Sequence, residues 1–116
     1  MTREQQDTVF GKIIRGELPA DIVFENERIL AIKDIHPVAP VHLLIMPKKA
    51  FPNLQSVPAE DLHLIAEVVA VAQKLAVEFN LHDGYRFLTN NGAQSGQIIY
   101  HLHFHLIGGR RLGALA

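Results

Sequence analysis

The spacing of apolar residues changes period several times along this chain, and each change marks an element. Val9, Phe10, Ile13 and Ile14 recur at helical spacing. Asp7 or Thr8 can cap that helix at its start, and Gly16 can end it. The spacing predicts a short helix over 7–15, with Pro19 blocking its continuation. Residues 22–25 and 28–33 read as two strands joined by a tight turn at Glu25-Asn26-Glu27. Residues 41–46 form a nearly all-apolar run between prolines, as expected for a strand covered on both faces.

Residues 59–81 carry the longest periodic stretch. Leu62, Ile65, Ala66, Val69, Ala72, Leu75, Ala76 and Phe79 repeat at three- and four-residue steps, which predicts one buried face of a long helix. Ser56 is a plausible cap upstream, and Asp83-Gly84 a turn downstream. Residues 85–90 read as a strand, 91–96 as a polar, glycine-rich loop, and 98–107 as a last strand stopped by Gly108-Gly109. No repeat or linker interrupts the chain, so one domain over 1–116 is expected, with a core at about 7–111. The pattern predicts an α+β architecture: about five antiparallel strands, one short and one long helix, and both helices on one face of the sheet.

Eleven Lys and Arg against twelve Asp and Glu give a formal charge of −1. That offers no long-range pull on nucleic acid or an anionic membrane, so neither is expected as a partner. The chain has no cysteine, which removes disulfides, thiolate zinc sites and cysteine nucleophiles. Met1 to Asp7 lacks an apolar leader core, and no run of ~20 apolar residues occurs. A cytoplasmic location is the expectation.

The chemistry concentrates in Tyr100-His101-Leu102-His103-Phe104-His105-Leu106. In an extended strand alternate side chains share a face. His101, His103 and His105 therefore share one face, partly wet, and Tyr100, Leu102, Phe104 and Leu106 the other. Three readings are open. Each imidazole can be structural, satisfied by a carbonyl or water. Two can share a zinc with help from His42, although His101 and His105 lie ~13 Å apart along a straight strand, too far for one ion at Zn–N distances of ~2.0–2.1 Å. Or a neutral imidazole attacks phosphorus, with its neighbours orienting it and donating to phosphate oxygens. Gly92, Gly96 and Gln97 then supply a cradle beside it.

The motif His101-Leu102-His103-Phe104-His105-Leu106-Ile107 resembles the His-x-His-x-His-x-x signature of the histidine triad (HIT) family. Ser95 to Tyr100, Gly108-Gly109-Arg110, Asp7 to Ile14, Asp34 to His42 and Ile45 to Lys49 resemble its Hint branch, that of the histidine triad nucleotide-binding proteins and purine nucleoside phosphoramidases. The resemblance implies a HIT-like fold and a homodimer with sheets joined across the two copies. It implies a hydrolase that cleaves nucleoside 5′-phosphoramidates, such as adenylate joined to an amine or to lysine, through a nucleotidyl-histidine. It implies no cofactor and no metal.

Residue by residue, it implies His103 as nucleophile, His105 at the phosphate, and His101 and His42 as its hydrogen-bonding support. Asp34 matches the residue that binds the ribose hydroxyls; it can also act as a turn cap before Pro37. Val9, Phe10, Ile13, Ile32, Ile35 and Leu44 match the purine pocket, although Phe10 and Ile13 read equally as core. Asn90, Gly96 and Gln97 match phosphate-side contacts. His63 and His82 read as surface, Lys48-Lys49 as solvated charge, and His36 edges the ribose position without a role.

Two features depart from the branch. Ile98 stands where many members carry Ser or Thr, and the tail from Arg111 to Ala116 has no Trp. The alternatives to phosphoramidase activity are a nucleotide-binding interaction module and a dinucleoside polyphosphate hydrolase.

Overall fold

The computed structural model describes residues 8–116. The expected cap at Asp7 and the leader reading of residues 1–7 lie outside them. The elements are α1 (Val9–Ile14), β1 (Ile22–Glu25), β2 (Ile29–Lys33), β3 (Val41–Pro47), α2 (His63–Glu78), β4 (Tyr85–Leu88) and β5 (Phe104–Gly108). The five strands form one antiparallel sheet in the order β1-β2-β3-β5-β4. Its composition of strands, one short and one long helix is as expected.

Local chemistry sets the boundaries. Thr8 Oγ1 accepts from Gly11 N–H at 3.1 Å and caps α1. The helix ends in a Schellman arrangement: Gly16 N–H donates to Ile13 O and Glu17 N–H to Lys12 O, with Gly16 at φ +78°. In the turn before β2, Asn26 Oδ1 accepts from the N–H of both Arg28 and Ile29. β3 is buried from His42 to Pro47, which explains its unbroken apolar run.

The helices lie on opposite faces of the sheet rather than on one. Ile29, Ala31, Leu43, Ile45, Phe104 and Leu106 pack with Leu64, Val68, Val71 and Leu75 of α2. The alternate residues Leu30, Ile32, Leu44 and Met46 pack with Phe10 of α1 and with Ile13 and Ile14. Strand alternation divides the two cores, and α1 is long enough to cover only part of the second face.

Most boundaries fall within two residues of the sequence reading, β4 for example ending at Leu88 rather than 90, and the larger differences are in α2 and the last strand. α2 starts at His63 after 3₁₀ turns at Leu54–Ser56 and Ala59–Asp61. Asn53, not Ser56, provides the cap, and it caps the first of those turns. α2 ends at Glu78, where Asn80 adopts φ +59° and Leu81 N–H donates to Ala76 O. Its buried stripe is Leu64, Val68, Val71, Ala72, Leu75 and Ala76, while Leu62, Ala66 and Val69 face outward. The last strand starts at Phe104 instead of Ile98, because the preceding residues bond elsewhere: Thr89 Oγ1 donates to His103 O at 2.6 Å and Leu102 N–H to Phe51 O at 2.7 Å. Among the described residues no helix is long and apolar enough to cross a membrane.

Candidate active site

A cavity of about 560 Å³ opens on the α1 face of the sheet. Every residue expected at a nucleotide lines it: Val9, Phe10, Ile13, Ile32, Asp34, Ile35, Leu44, Asn90, Gly96, Gln97, His103 and His105, together with His42. Leu18, Pro19 and Ala20 also line it, and the sequence reading missed them. The only signal available was an apolar trio after a helix stop, which is common in loops. Ile98 and His36 stand in the wall as well, and Ile98 is 85% exposed. Phe10 is both core and site: it is buried, and its ring meets the His103 ring edge-on at 4.8 Å.

The three histidines point to the α1 face, as alternation requires, although only His105 lies in a ladder. The face is less wet than expected. His103 and His105 are half-buried, while His101 is fully buried and does not line the cavity. β3 brings His42 alongside. The His42 and His105 rings lie 5.2 Å apart, as do those of His103 and His105.

Backbone partners fix the tautomers, since a neutral imidazole has one N–H and one lone pair. His103 Nδ1 is 2.8 Å from His101 O, so Nδ1–H donates and Nε2 keeps its lone pair. Val38 N–H donates to His42 Nδ1 at 3.2 Å, which leaves the His42 proton on Nε2. His42 Nε2–H then donates to His105 Nδ1 at 2.9 Å, and His105 carries its own proton on Nε2. His101 Nε2–H donates to Pro47 O at 2.8 Å, leaving His101 Nδ1 buried without a partner. The His103 ring is thus held by the carbonyl of His101, while the His101 ring ties the segment to the end of β3.

Burial disfavours charge on all four rings and lowers each pKa below the usual histidine value, His105 to about 4. For His105 the neighbouring His103 and His42 add to the effect and Asp34 opposes it. The arrangement therefore holds neutral imidazoles at pH 7: one lone pair at His103 Nε2 and one N–H at His105 Nε2.

Asp34 is a turn cap as well as a cavity residue. Its Oδ1 accepts from His36 N–H at 2.8 Å, and its Oδ2 lies 3.3 Å from His42 Nε2. Asp34, His42 and His105 bring three ligand atoms within 4.8 Å of one another. A metal on His42 Nε2 would require that nitrogen's proton to move to Nδ1, where it would meet the Val38 N–H.

The glycine loop is self-satisfied to a degree the sequence did not indicate. Gly92 and Gly96 sit at φ +89° and +96°, conformations that favour glycine. Gln97 Oε1 accepts from Gly92 N–H, and its Nε2 donates to Pro52 O and Ile99 O. Ser95, Gly96 and Gln97 N–H groups donate within the loop. The Gln97 amide thus shapes the cavity wall and has its donors engaged there. Outside the site, Lys48 pairs with Glu25 and Lys49 with Asp61, and His63 and His82 are exposed.

The HIT domain model matches residues 15–112. A HIT-like protein of Chlamydia pneumoniae is 54% identical over 109 residues, covering 94% of this chain and 99% of that protein. A HIT family hydrolase from Clostridium thermocellum superposes with a TM-score of 0.91 at 41% identity, covering 95% of this chain and 96% of the other. A histidine triad nucleotide-binding protein from Candida albicans superposes at 0.80 with 31% identity, covering 95% and 84%. With the triad, the sheet order and the cavity in agreement, the chain belongs to the HIT domain family.

Proposed function

We propose that this chain is a nucleotide-binding hydrolase that cleaves purine nucleoside 5′-phosphoramidates at the α-phosphate, with His103 as nucleophile. The observation that carries the reading is the His103 tautomer. Its Nδ1–H is committed to His101 O, so the lone pair on Nε2 is the one left for chemistry. The apolar wall from Val9, Phe10, Ile13, Ile32 and Leu44 suits a purine, and Asp34 suits the ribose diol. The names of the Clostridium thermocellum hydrolase and the Candida albicans nucleotide-binding protein accord with this reading.

In the reaction, His103 Nε2 donates its lone pair to phosphorus. The P–N bond breaks with its electrons on the amine, which takes up a proton from solvent and leaves. His105 Nε2–H donates to a non-bridging oxygen as charge develops there. Water then attacks phosphorus and releases a proton to solvent, the P–His103 bond breaks with its electrons on Nε2, and the nucleoside monophosphate departs with His103 neutral again.

The proposed assembly is a homodimer with the two sheets joined at β4, an edge strand. The outward face of α2 supports it: Leu62, Val69 and Val77 are 50%, 39% and 65% exposed on the side away from the core. Sedimentation at the mass of a single chain would refute the dimer.

The central test is hydrolysis of adenosine 5′-phosphoramidate in excess chelator by the native protein and by His103→Ala. The expected result is turnover in the native protein alone, with adenylate trapped on His103. Native-like turnover in His103→Ala, or adenylate on another residue, overturns the assignment. Loss of turnover in chelator supports a metal site at Asp34, His42 and His105 instead.

A further inference from the structure

A run of hydrogen bonds links the segment after β5 to the catalytic rings. Arg110 Nη2–H donates to Val38 O at 2.8 Å, and its Nη1–H donates to Arg111 O at 2.8 Å. From the same residue, Val38 N–H donates to His42 Nδ1, and His42 Nε2 lies against His105 Nδ1. The loop that carries Val38 has little packing to hold it. Residues 35–38 and 40 are all exposed, with Ile35 at 86% and Val38 at 59%. Polar ties hold it: Asp34 N–H to His42 O, Asp34 Oδ1 to His36 N–H, Val38 N–H to His42, and Arg110 to Val38 O.

We propose that Arg110 is a positioning residue. By holding Val38 O, it keeps the Val38 N–H aimed at His42 Nδ1 and so keeps the His105 proton on Nε2. The proposal rests on the phosphoramidase reading of the site. Its logic is that of single-proton rings joined in series. With a donor at His42 Nδ1, the His42 proton sits on Nε2, His105 Nδ1 accepts, and His105 Nε2 offers an N–H to a phosphate oxygen. Without that donor, the opposite tautomer pair becomes accessible: His42 Nδ1–H, and His105 Nδ1–H donating to His42 Nε2. His105 then presents a lone pair that repels the phosphate oxygen. Asp34 Oδ2, 3.3 Å from His42 Nε2, is the remaining contact that favours the productive form.

Arg110 is exposed, so replacing it leaves the core intact. Arg110→Met keeps the reach and removes the donors; Arg110→Lys restores one donor. The test measures the imidazole ¹⁵N shifts of the free protein at pH 8, where burial keeps the rings neutral, together with kcat/KM on adenosine 5′-phosphoramidate. Loss of one neutral hydrogen bond shifts such a balance by about five- to tenfold. Arg110→Met is expected to raise the minor tautomer of His42 and His105 by that factor, to lower kcat/KM in step, and to leave Tm near native. Arg110→Lys is expected to recover most of both. Native ¹⁵N shifts in Arg110→Met sink the inference while leaving His103 chemistry standing. So does failure of Arg110→Lys to recover the tautomer. The tautomer shift in a protein without turnover would do the reverse: Arg110 would keep its role, and the reading of the reaction would fall.

Discussion

His101→Ala separates two roles that a triad histidine can play. The ring is fully buried, its Nε2–H donates to Pro47 O, and it lies perpendicular to the Phe10 ring with centroids 6.4 Å apart. Truncation strands the Pro47 carbonyl, a loss of about 1–3 kcal/mol, and leaves a ring-sized void that costs about 2 kcal/mol. Against these stands a gain, because His101 Nδ1 is buried without a partner and its removal relieves about 1–2 kcal/mol of desolvation. The net is a destabilisation of about 2 kcal/mol, which for a chain of 116 residues lowers Tm by about 8 °C. The bond that sets the His103 tautomer uses the His101 carbonyl and survives the substitution. Thermal melting by circular dichroism and kcat at 20 °C test both halves. The expected result is a clear drop in Tm with kcat reduced by less than about tenfold. An unchanged Tm with kcat down ~10²–10³, the usual cost of a lost transition-state donor, would refute this reasoning and place the ring in the chemistry.

The acid limb of kcat/KM is expected below the ordinary histidine value, because burial lowers the pKa of His103 and its neighbours; half-loss of activity at or above pH 6.5 would contradict it. Stability follows the same sign. These rings have folded pKa values below the unfolded one, so their contribution is complete above about pH 6.5 and is lost as pH falls through 6.5 toward the folded value, about 4 for His105. Urea unfolding at pH 7 and pH 5 should show the lower midpoint at pH 5, and equal midpoints would refute the linkage. Gln97→Ala is expected to raise KM for the phosphoramidate about tenfold, since it removes the tie from Gly92 N–H to Pro52 O and Ile99 O; an unchanged KM shows that the loop holds its shape without that amide.

The strands were legible where turn chemistry and apolar pattern agreed. Asn26 announces the β1–β2 turn because its side chain does the turn's bonding, and the run from Val41 announces a strand buried on both faces. The phase of α2 was not legible for a physical reason. Val68, Val69, Ala70, Val71 and Ala72 are consecutive, so the helix is apolar almost all round, and stripes through Leu64 or through Leu62 score alike. The structure buries the first against β3 and β5 and leaves Leu62, Val69 and Val77 outside. An outward apolar stripe is what a helix shows when it has a second surface to meet.

The site was legible in its residues but not in its proton positions. Alternation placed His101, His103 and His105 on one face even though the ladder begins only at Phe104, because side-chain direction follows extended backbone and does not require pairing. Which nitrogen of each ring carries the proton depends on His101 O, Pro47 O and Val38 N–H. These are main-chain groups, offered alike by almost any residue type, so no side-chain pattern reports them. The same holds for the loop over the cavity, where Ile35 and His36 were legible as neighbours of the nucleotide site but the tie from Arg110 to the Val38 carbonyl was not. A triad motif therefore specifies where imidazoles stand. Whether His103 offers a lone pair and His105 an N–H is decided by backbone geometry, and a substitution that moves Val38 is expected to change the chemistry without touching a histidine.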